Sequence, residues 1–388
     1  MTFGYDSEYL ARGGAYSLDP LLPLDLGQHQ TPLGCDIFGA FSDCSPDRWG
    51  RMLIKRRRRR QGEGVGQGER SLGEIDYLLG VRDDLRQGAL RFRDPESGQM
   101  LAAADQEGVP HLVDLPKLLS FADRAESDTA TDEELEVLLK GGSSLGGTRP
   151  KAHVIDQRGR IAIAKFPRAA GDEWDVTGWE GVTAELARDA GIVVPASALH
   201  RVDGRSVFVV DRFDRRGERR VGYVSAMTML EAGDGDQRSY LDLVEVIEEE
   251  SDRTTADLHQ LWRRIAFSVL VSNTDDHLRN HGFLHSASGW NLSPAFDLNP
   301  NPEPGHKLLS TSIDGRSSDA SLELLLEVAE LFRLDESEAR AVVAEVADAT
   351  GRWRHVAARA GLDSGSIAAM EPAFEHAAAE FARGVEST

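Results

Sequence analysis

Cysteine is nearly absent from this chain: 388 residues contain two, Cys35 and Cys44. Their spacing forms no metal-ligand pattern, and so few thiols suit a reducing compartment rather than a disulfide framework. Long apolar runs are missing as well; none approaches the roughly 18 residues that mark a membrane-spanning helix. The start, Met1-Thr-Phe-Gly-Tyr-Asp6, has no basic region leading into an apolar core, so no secretory leader is expected. An excess of positive charge is lacking too. Lys and Arg number 44 against 65 Asp and Glu, a net charge of −21, which argues against a protein that coats nucleic acid with its whole surface. No internal repeat is visible. What remains is ordinary for a soluble globular protein, with 40% hydrophobic and 28% charged residues, in a length that holds two or three domains or one bilobal protein. The expected location is the cytoplasm.

The chemistry concentrates in Asn273-Thr-Asp-Asp-His-Leu-Arg-Asn280 and in Asp297 of Ser293-Pro-Ala-Phe-Asp297. An apolar helical run, Leu261–Val271, leads into the first cluster, and a strand-like segment, Gly289–Leu292, leads towards the second carboxylate. Asp275 and Asn280 have the spacing that a kinase catalytic loop places between its catalytic Asp and a metal-binding Asn. Phosphoryl transfer needs one carboxylate to position a hydroxyl and oxygen ligands to hold magnesium on the phosphates. A two-metal hydrolase is the competing reading, as is a solvated acidic loop. His277, His281 and His285 would share a face only on a continuous helix, and Gly282 with Phe283-Leu284 opposes one.

Upstream, Gly141-Gly-Ser-Ser-Leu-Gly-Gly-Thr-Arg-Pro-Lys151 can bring backbone N–H groups close to phosphate oxygens. Gly142 and Gly147 have Walker A spacing, but Thr148-Arg149 replaces Lys-Ser/Thr and a strand follows, so a flexible linker stays open as the alternative. Lys165 ends the apolar strand Ile161–Lys165, where a lysine can meet nucleotide phosphates. Glu180 is the first candidate for its supporting carboxylate, and Glu185 the second. Phe208-Val-Val-Asp-Arg-Phe-Asp-Arg215 ends a strand where a bilobal chain would cross between lobes, and Asp211 and Asp214 can bind an exocyclic amine or a ribose.

The pattern predicts an α+β fold with a β-rich middle and a helical second half. Ser45 is the expected N-cap of a helix running into Lys55-Arg-Arg-Arg-Arg-Arg60, with Pro46 at its first position. The basic run reads as a solvated helix end, or else as a contact for DNA phosphates or an acidic partner. Helices are predicted over 73–84, 115–125, 131–140 and 179–190, and a hairpin over 151–166 turning at Asp156–Gly159. Strands are expected near 198–203 and 206–212, and mostly helix beyond 239, interrupted at 283–312.

Several ordered motifs together resemble the HipA-like serine/threonine protein kinase family, toxin components of type II toxin–antitoxin modules. They are Ser143–Ala152, Ala164–Pro167, Trp179-Glu-Gly181, Asp211–Arg215, Asn273–Asn280 and Leu292–Asp297. Tyr5–Leu10 and Ser45–Gly50 look like that family's N-terminal region, so nearly the whole chain is covered. The resemblance implies a bilobal protein-kinase-like fold: an N-terminal HipA-type subdomain (1–125), an N-lobe with phosphate loop and hinge (126–214) and a helical C-lobe (215–388). It implies ATP and Mg2+ as cofactors, Asp275 as catalytic base, and Asn280 and Asp297 on the metal. Lys165 would contact phosphates. Ser143, Ser144, Gly146, Gly147 and Lys151 would form the phosphate loop, Asp211 and Phe213 the hinge, and Asp214 would lie close to the ribose. The resemblance also implies inactivating autophosphorylation at Ser144, with Ser143 the alternative; a dianionic phosphate there would repel ATP. The implied partners are a protein substrate in translation, such as an aminoacyl-tRNA synthetase, and a DNA-binding antitoxin of HipB type, with DNA reached only through it and no membrane. Leu298-Asn299 follows Asp297 where a kinase switch has glycine, so that switch is not implied. Relatives carry a strand or two before the Tyr5 motif, so a longer native N-terminus is a further expectation. A catalytically weak kinase-fold corepressor and a small-molecule phosphotransferase are the alternative functions.

Overall fold

The computed structural model describes residues 1–60, 71–102, 108–141 and 147–385. The chain folds as two compact units, one from residues 1–171 and 200–231, the other from 172–199 and 232–388. Together they make an α+β fold, as the sequence predicts.

In the first unit, helix α1 (Arg48–Arg60) is capped by Asp47, whose Oδ1 accepts from Gly50 N–H at 2.9 Å. The expected cap, Ser45, instead donates its hydroxyl to the Phe41 carbonyl. Pro46 therefore precedes the cap rather than opening the helix. Helix α2 (Leu115–Glu126) has proline in its first turn, and α3 (Asp132–Lys140) opens with a reciprocal Thr131–Glu134 capping box.

Strands β1 (Lys151–Ile155) and β2 (Ile161–Lys165) form the predicted hairpin. Strands β3 (Ser197–Val202) and β4 (Arg205–Asp211) complete a four-stranded sheet of order β1-β2-β4-β3. Its period-2 pattern separates two faces. Ala152, Val154, Ala162 and Ala164 join Trp49, Leu53, Leu118 and Leu138 in the core. Lys151 and Lys165 are register partners, so both project from the opposite face. A smaller aromatic core, including Tyr5, Phe38 and Phe41, holds the N-terminal segment. Cys35 and Cys44 are free thiols.

The arginine run is a solvated helix end only in part. Arg56, Arg59 and Arg60 lie 3.3–4.0 Å from Asp128, Arg57 lies 3.6 Å from Glu136, and Arg60 also reaches Asp132. Acidic residues at and before α3 thus answer the basic end of α1, where positive charge also suits the helix C-terminus.

The second unit begins with α4 (Val176–Asp189), capped by Asp175, and continues through α5 (Tyr240–Glu250) and α6 (Thr254–Leu270). Helix α6 is the central element. Leu258, Leu261, Trp262, Ile265, Phe267 and Leu270 are fully buried, and Trp262 packs on Phe332 at 5.2 Å. Trp179 of α4 packs on Trp353 and Phe374. The short hairpin of β5 (Gly282–His285) and β6 (Trp290–Leu292) is tied to α6 through Asp257, which accepts from Leu292 N–H. Among the described residues, no helix is long and apolar enough to cross a membrane.

Candidate functional site

The end of α6 sets the first part of the site. Asn273 N–H donates to the Ser268 carbonyl at 2.8 Å and Ser272 N–H to the Val269 carbonyl at 3.3 Å, the two bonds of a Schellman cap. Such caps favour glycine at the left-handed position, yet Ser272 occupies it with φ +53°. The chain therefore turns sharply out of the helix and presents 273–280. His277 N–H bonds to the Asp275 carbonyl, a single 3₁₀ turn spans Leu278–Asn280, and β5 starts directly after. The three histidines consequently share no helical face.

Within this loop the two adjacent carboxylates have opposite surroundings. Asp276 is buried, accepting from Tyr240 Oη at 2.6 Å and Ser268 Oγ at 3.1 Å. His281 Nε2 stands 3.0 Å from its other oxygen, a close electrostatic pair whose angle is too poor for a hydrogen bond. Burial pushes the Asp276 pKa up, but His281 and the hydroxyl donors outweigh it and hold the group below the usual carboxylate value. Asp275 is exposed, and its carboxylate accepts no hydrogen bond from the described residues. Partial shelter raises its pKa, and Asp297 and Asp276 add to the rise against an opposing pull from His277. A carboxylate with a raised pKa is a better proton acceptor near neutral pH.

Asn280 Nδ2 donates to the Asp275 carbonyl at 3.1 Å. That bond fixes the amide and reserves Oδ1 as an acceptor for a cation. Asp297 sits in the left-handed region at φ +59°, a conformation non-glycine residues hold only when their surroundings impose it. Those surroundings are explicit. Asn301 N–H donates to the Ser272 carbonyl, Asn301 Nδ2 to Thr274 Oγ1, and Asn299 N–H to Asn273 Oδ1. Thr183, one turn beyond Glu180 on α4, donates its hydroxyl to the Leu298 carbonyl. The following segment is pinned as well, with Ser310 bonded to the Thr274 carbonyl and Thr311 to that of Asp276.

Asn280 and Asp297 supply hard oxygen donors, the type magnesium takes. Among the described residues, no group of three or more His, Cys, Asp or Glu side chains could hold a metal by itself. Magnesium keeps several waters and shares its coordination with substrate phosphates, so two protein oxygens could serve it. Glu180 is buried, whereas Glu185 is ion-paired with Arg359.

In the first unit, Gly147 has φ +97°, closed to most L side chains, and Lys151 Nζ lies 3.4 Å from where a β-carbon would project. Ser143, Ser144 and Gly146 lie outside the described residues. Lys151 is buried rather than free to swing, its ammonium 2.5 Å from Asp47 Oδ2 and its carbonyl accepting from Trp49 Nε1. The Ser45–Gly50 motif thus braces the start of β1. Two lysines directly opposite on paired strands repel, and Asp47 neutralises one of them.

Asp211 pairs with Arg160, and Phe213 packs on Tyr223 at 6.0 Å. Asp214, expected close to a ribose, is buried, and its oxygens accept from Arg212, Arg215 and Gly88 N–H. Its job is to fasten the end of the sheet to the N-terminal segment. Sequence reading also missed Tyr240, Ser268, Asn299, Asn301 and Thr311 as supports. The one local hint was a run of hydroxyl and amide residues flanking both acidic motifs.

Residues 143–353 match the model of the HipA-like C-terminal domain family, more than half of the chain. The chain belongs to that family. A putative kinase of Haemophilus influenzae is 25% identical over 191 residues, 42% of this chain and 54% of that protein. Toxin YjjJ of Escherichia coli is 25% identical over 232 residues, 56% of this chain and 49% of the toxin. The chain thus spans about half the length of the curated relatives it matches. The HipA-like fold extends further than those sequence matches. HipA of Shewanella oneidensis MR-1, solved with HipB and its operator DNA, superposes with a TM-score of 0.71 at 18% identity, covering 100% of this chain and 93% of HipA.

Proposed function

We propose that this HipA-like protein is an ATP- and magnesium-dependent serine/threonine protein kinase, the toxin of a toxin–antitoxin module. One observation carries the reading: among the described residues the Asp275 carboxylate accepts no hydrogen bond, while Asp276, Asn273 and Asn280 around it are each held by one. Such an arrangement offers a proton acceptor to an incoming hydroxyl and holds it still. The acceptor hydroxyl oxygen bonds to the γ-phosphorus as the bond to the ADP oxygen breaks, and the hydroxyl proton passes to an Asp275 carboxylate oxygen. Lys165 and the 143–151 loop bind the phosphates, with Asp211 and Phe213 beside the base and Glu180 supporting Lys165. Asn280 and Asp297 hold magnesium, which when bound neutralises charge on the phosphates.

The acceptor class is a translation component such as an aminoacyl-tRNA synthetase, and Ser144 or Ser143 is the self-modified residue. A HipB-type antitoxin, with DNA contacted through it, is the proposed partner. The S. oneidensis HipA complex supports that part. The test is incubation with γ-labelled ATP and Mg2+, followed by mass spectrometry of the 141–151 peptide. The wild-type protein acquires label there and Asp275→Asn does not. Equal labelling of the two proteins would remove Asp275 from the mechanism. No label in any protein despite tight antitoxin binding would favour a corepressor instead.

A further inference from the structure

The catalytic loop and the Asp297 loop are joined by a buried chain of side chains with a fixed direction. Asp276, as a carboxylate, can only accept. The Ser268 hydroxyl proton must therefore point at Asp276 Oδ2, 3.1 Å away. That leaves a Ser268 lone pair for Asn273 Nδ2 at 3.3 Å, which settles the orientation of the Asn273 amide. Asn273 Oδ1 then faces the backbone N–H of Asn299, two residues beyond Asp297, at 3.3 Å. Tyr240 holds the far end, donating to the same Asp276 oxygen. Ser268, Asn273 and Asp276 are all buried.

Stability alone does not call for this chain. A buried hydroxyl on an otherwise apolar helix end contributes little net stability even when bonded, and apolar replacement of such groups is often neutral. What the chain supplies is direction. Every link has one allowed orientation, set by a carboxylate at one end and read at the backbone of the other loop.

Resting on the kinase reading, we propose that Ser268, Asn273 and Asp276 act as one positioning unit that sets the Asp297 loop against the Asp275 loop. None of the three touches substrate. Their joint effect is to keep a metal-binding carboxylate and a proton-accepting one in register.

The test uses the full chain with two readouts, amide hydrogen exchange at Asn299 and Asn301, and ADP formation from MgATP. Ser268→Ala is the mild variant, removing one oxygen from the helix, and Asp276→Asn is the strong one. The expected result is exchange at Asn299 accelerated by about tenfold or more in both variants, with kcat lowered about tenfold by Ser268→Ala and about 10²-fold by Asp276→Asn. KM for ATP stays near wild type, and the melting temperature of Ser268→Ala falls only modestly, by the loss of the buried acceptor of Asn273 Nδ2. The Ser268→Ala/Asn273→Ala double variant loses no more than the worse single one, as members of one unit should. Unchanged exchange in Ser268→Ala, or fully additive losses, would overturn the proposal. If the wild-type protein turns over no MgATP, the kinase reading fails on its own. The exchange arm then decides alone, accelerated exchange sustaining the coupling between loops and unchanged exchange ending it.

Discussion

Two acidic motifs of this chain look alike in sequence and differ in use. Asp211-Arg-Phe-Asp-Arg215 and Asn273-Thr-Asp-Asp-His277 each place carboxylates beside basic side chains at the end of an element. In the first, Asp214 is buried against Arg212 and Arg215, and those guanidiniums hold its pKa down against a strong burial effect. In the second, the partners gather on Asp276 and leave Asp275 open. A carboxylate held at both oxygens by buried donors fastens structure. One held by its backbone and free at its oxygens is available for chemistry. The difference lies in what surrounds each group, not in residue type.

The sharpest way to break this contrast is Asp275→Asn. It should lower MgATP turnover by roughly 10²–10⁴-fold while the melting temperature barely moves, because the side chain is exposed. Equal losses of activity and stability in thermal melts would dissolve the distinction. Asp214→Ala should do the reverse, costing about 3–5 kcal/mol by leaving buried guanidiniums unpaired, read by urea denaturation. A stable Asp214→Ala protein with impaired ATP affinity would restore the ribose role to Asp214. Asp297→Asn should act through the metal, raising half-saturating Mg2+ about tenfold, or about 1.4 kcal/mol, in a magnesium titration of turnover.

The smallest effect concerns Asp43, which is sheltered and accepts from Ser225 N–H and from the Ser225 and Thr228 hydroxyls. Burial pushes its pKa to about 6. Because the folded value lies above the unfolded one, the group stabilises the fold at low pH and loses that contribution as pH rises through 6. Stability measured against Asp43→Asn should fall by about 1 kcal/mol between roughly pH 5 and pH 7. A flat difference would show that the donors, like the arginines around Asp214, already offset burial.

The setting of the candidate cluster was legible because its information is local: the apolar helix before Asn273–Asn280 and the strand before Asp297 are short-range patterns. The hairpin and the helical second half were legible for the same reason. What failed to show was long-range. Lys151 finds its carboxylate in Asp47, the arginine run finds Asp128, Asp132 and Glu136, and Asp214 finds Gly88 N–H. No periodicity encodes such pairings. Ser45 was the wrong cap because a cap is decided by which side chain is left unengaged, and Ser45 is bonded backwards to Phe41. The helix stop was legible from the end of the apolar run at Val271, although Ser272 stands where glycine is usual.

The first unit is assembled from two stretches of chain separated by residues 172–199. Asp43 waits for Ser225, and Gly88 waits for Asp214. During synthesis the N-terminal segment therefore emerges long before these groups, and the Asp43 carboxylate and Gly88 N–H lack their partners until about residue 231 has been made. Closing contacts across so many residues is slow, so a ribosome stalled within 172–199 would display an unfinished, aggregation-prone unit. For this chain the order of translation is part of the folding problem, and its most exposed moment comes midway through its own manufacture.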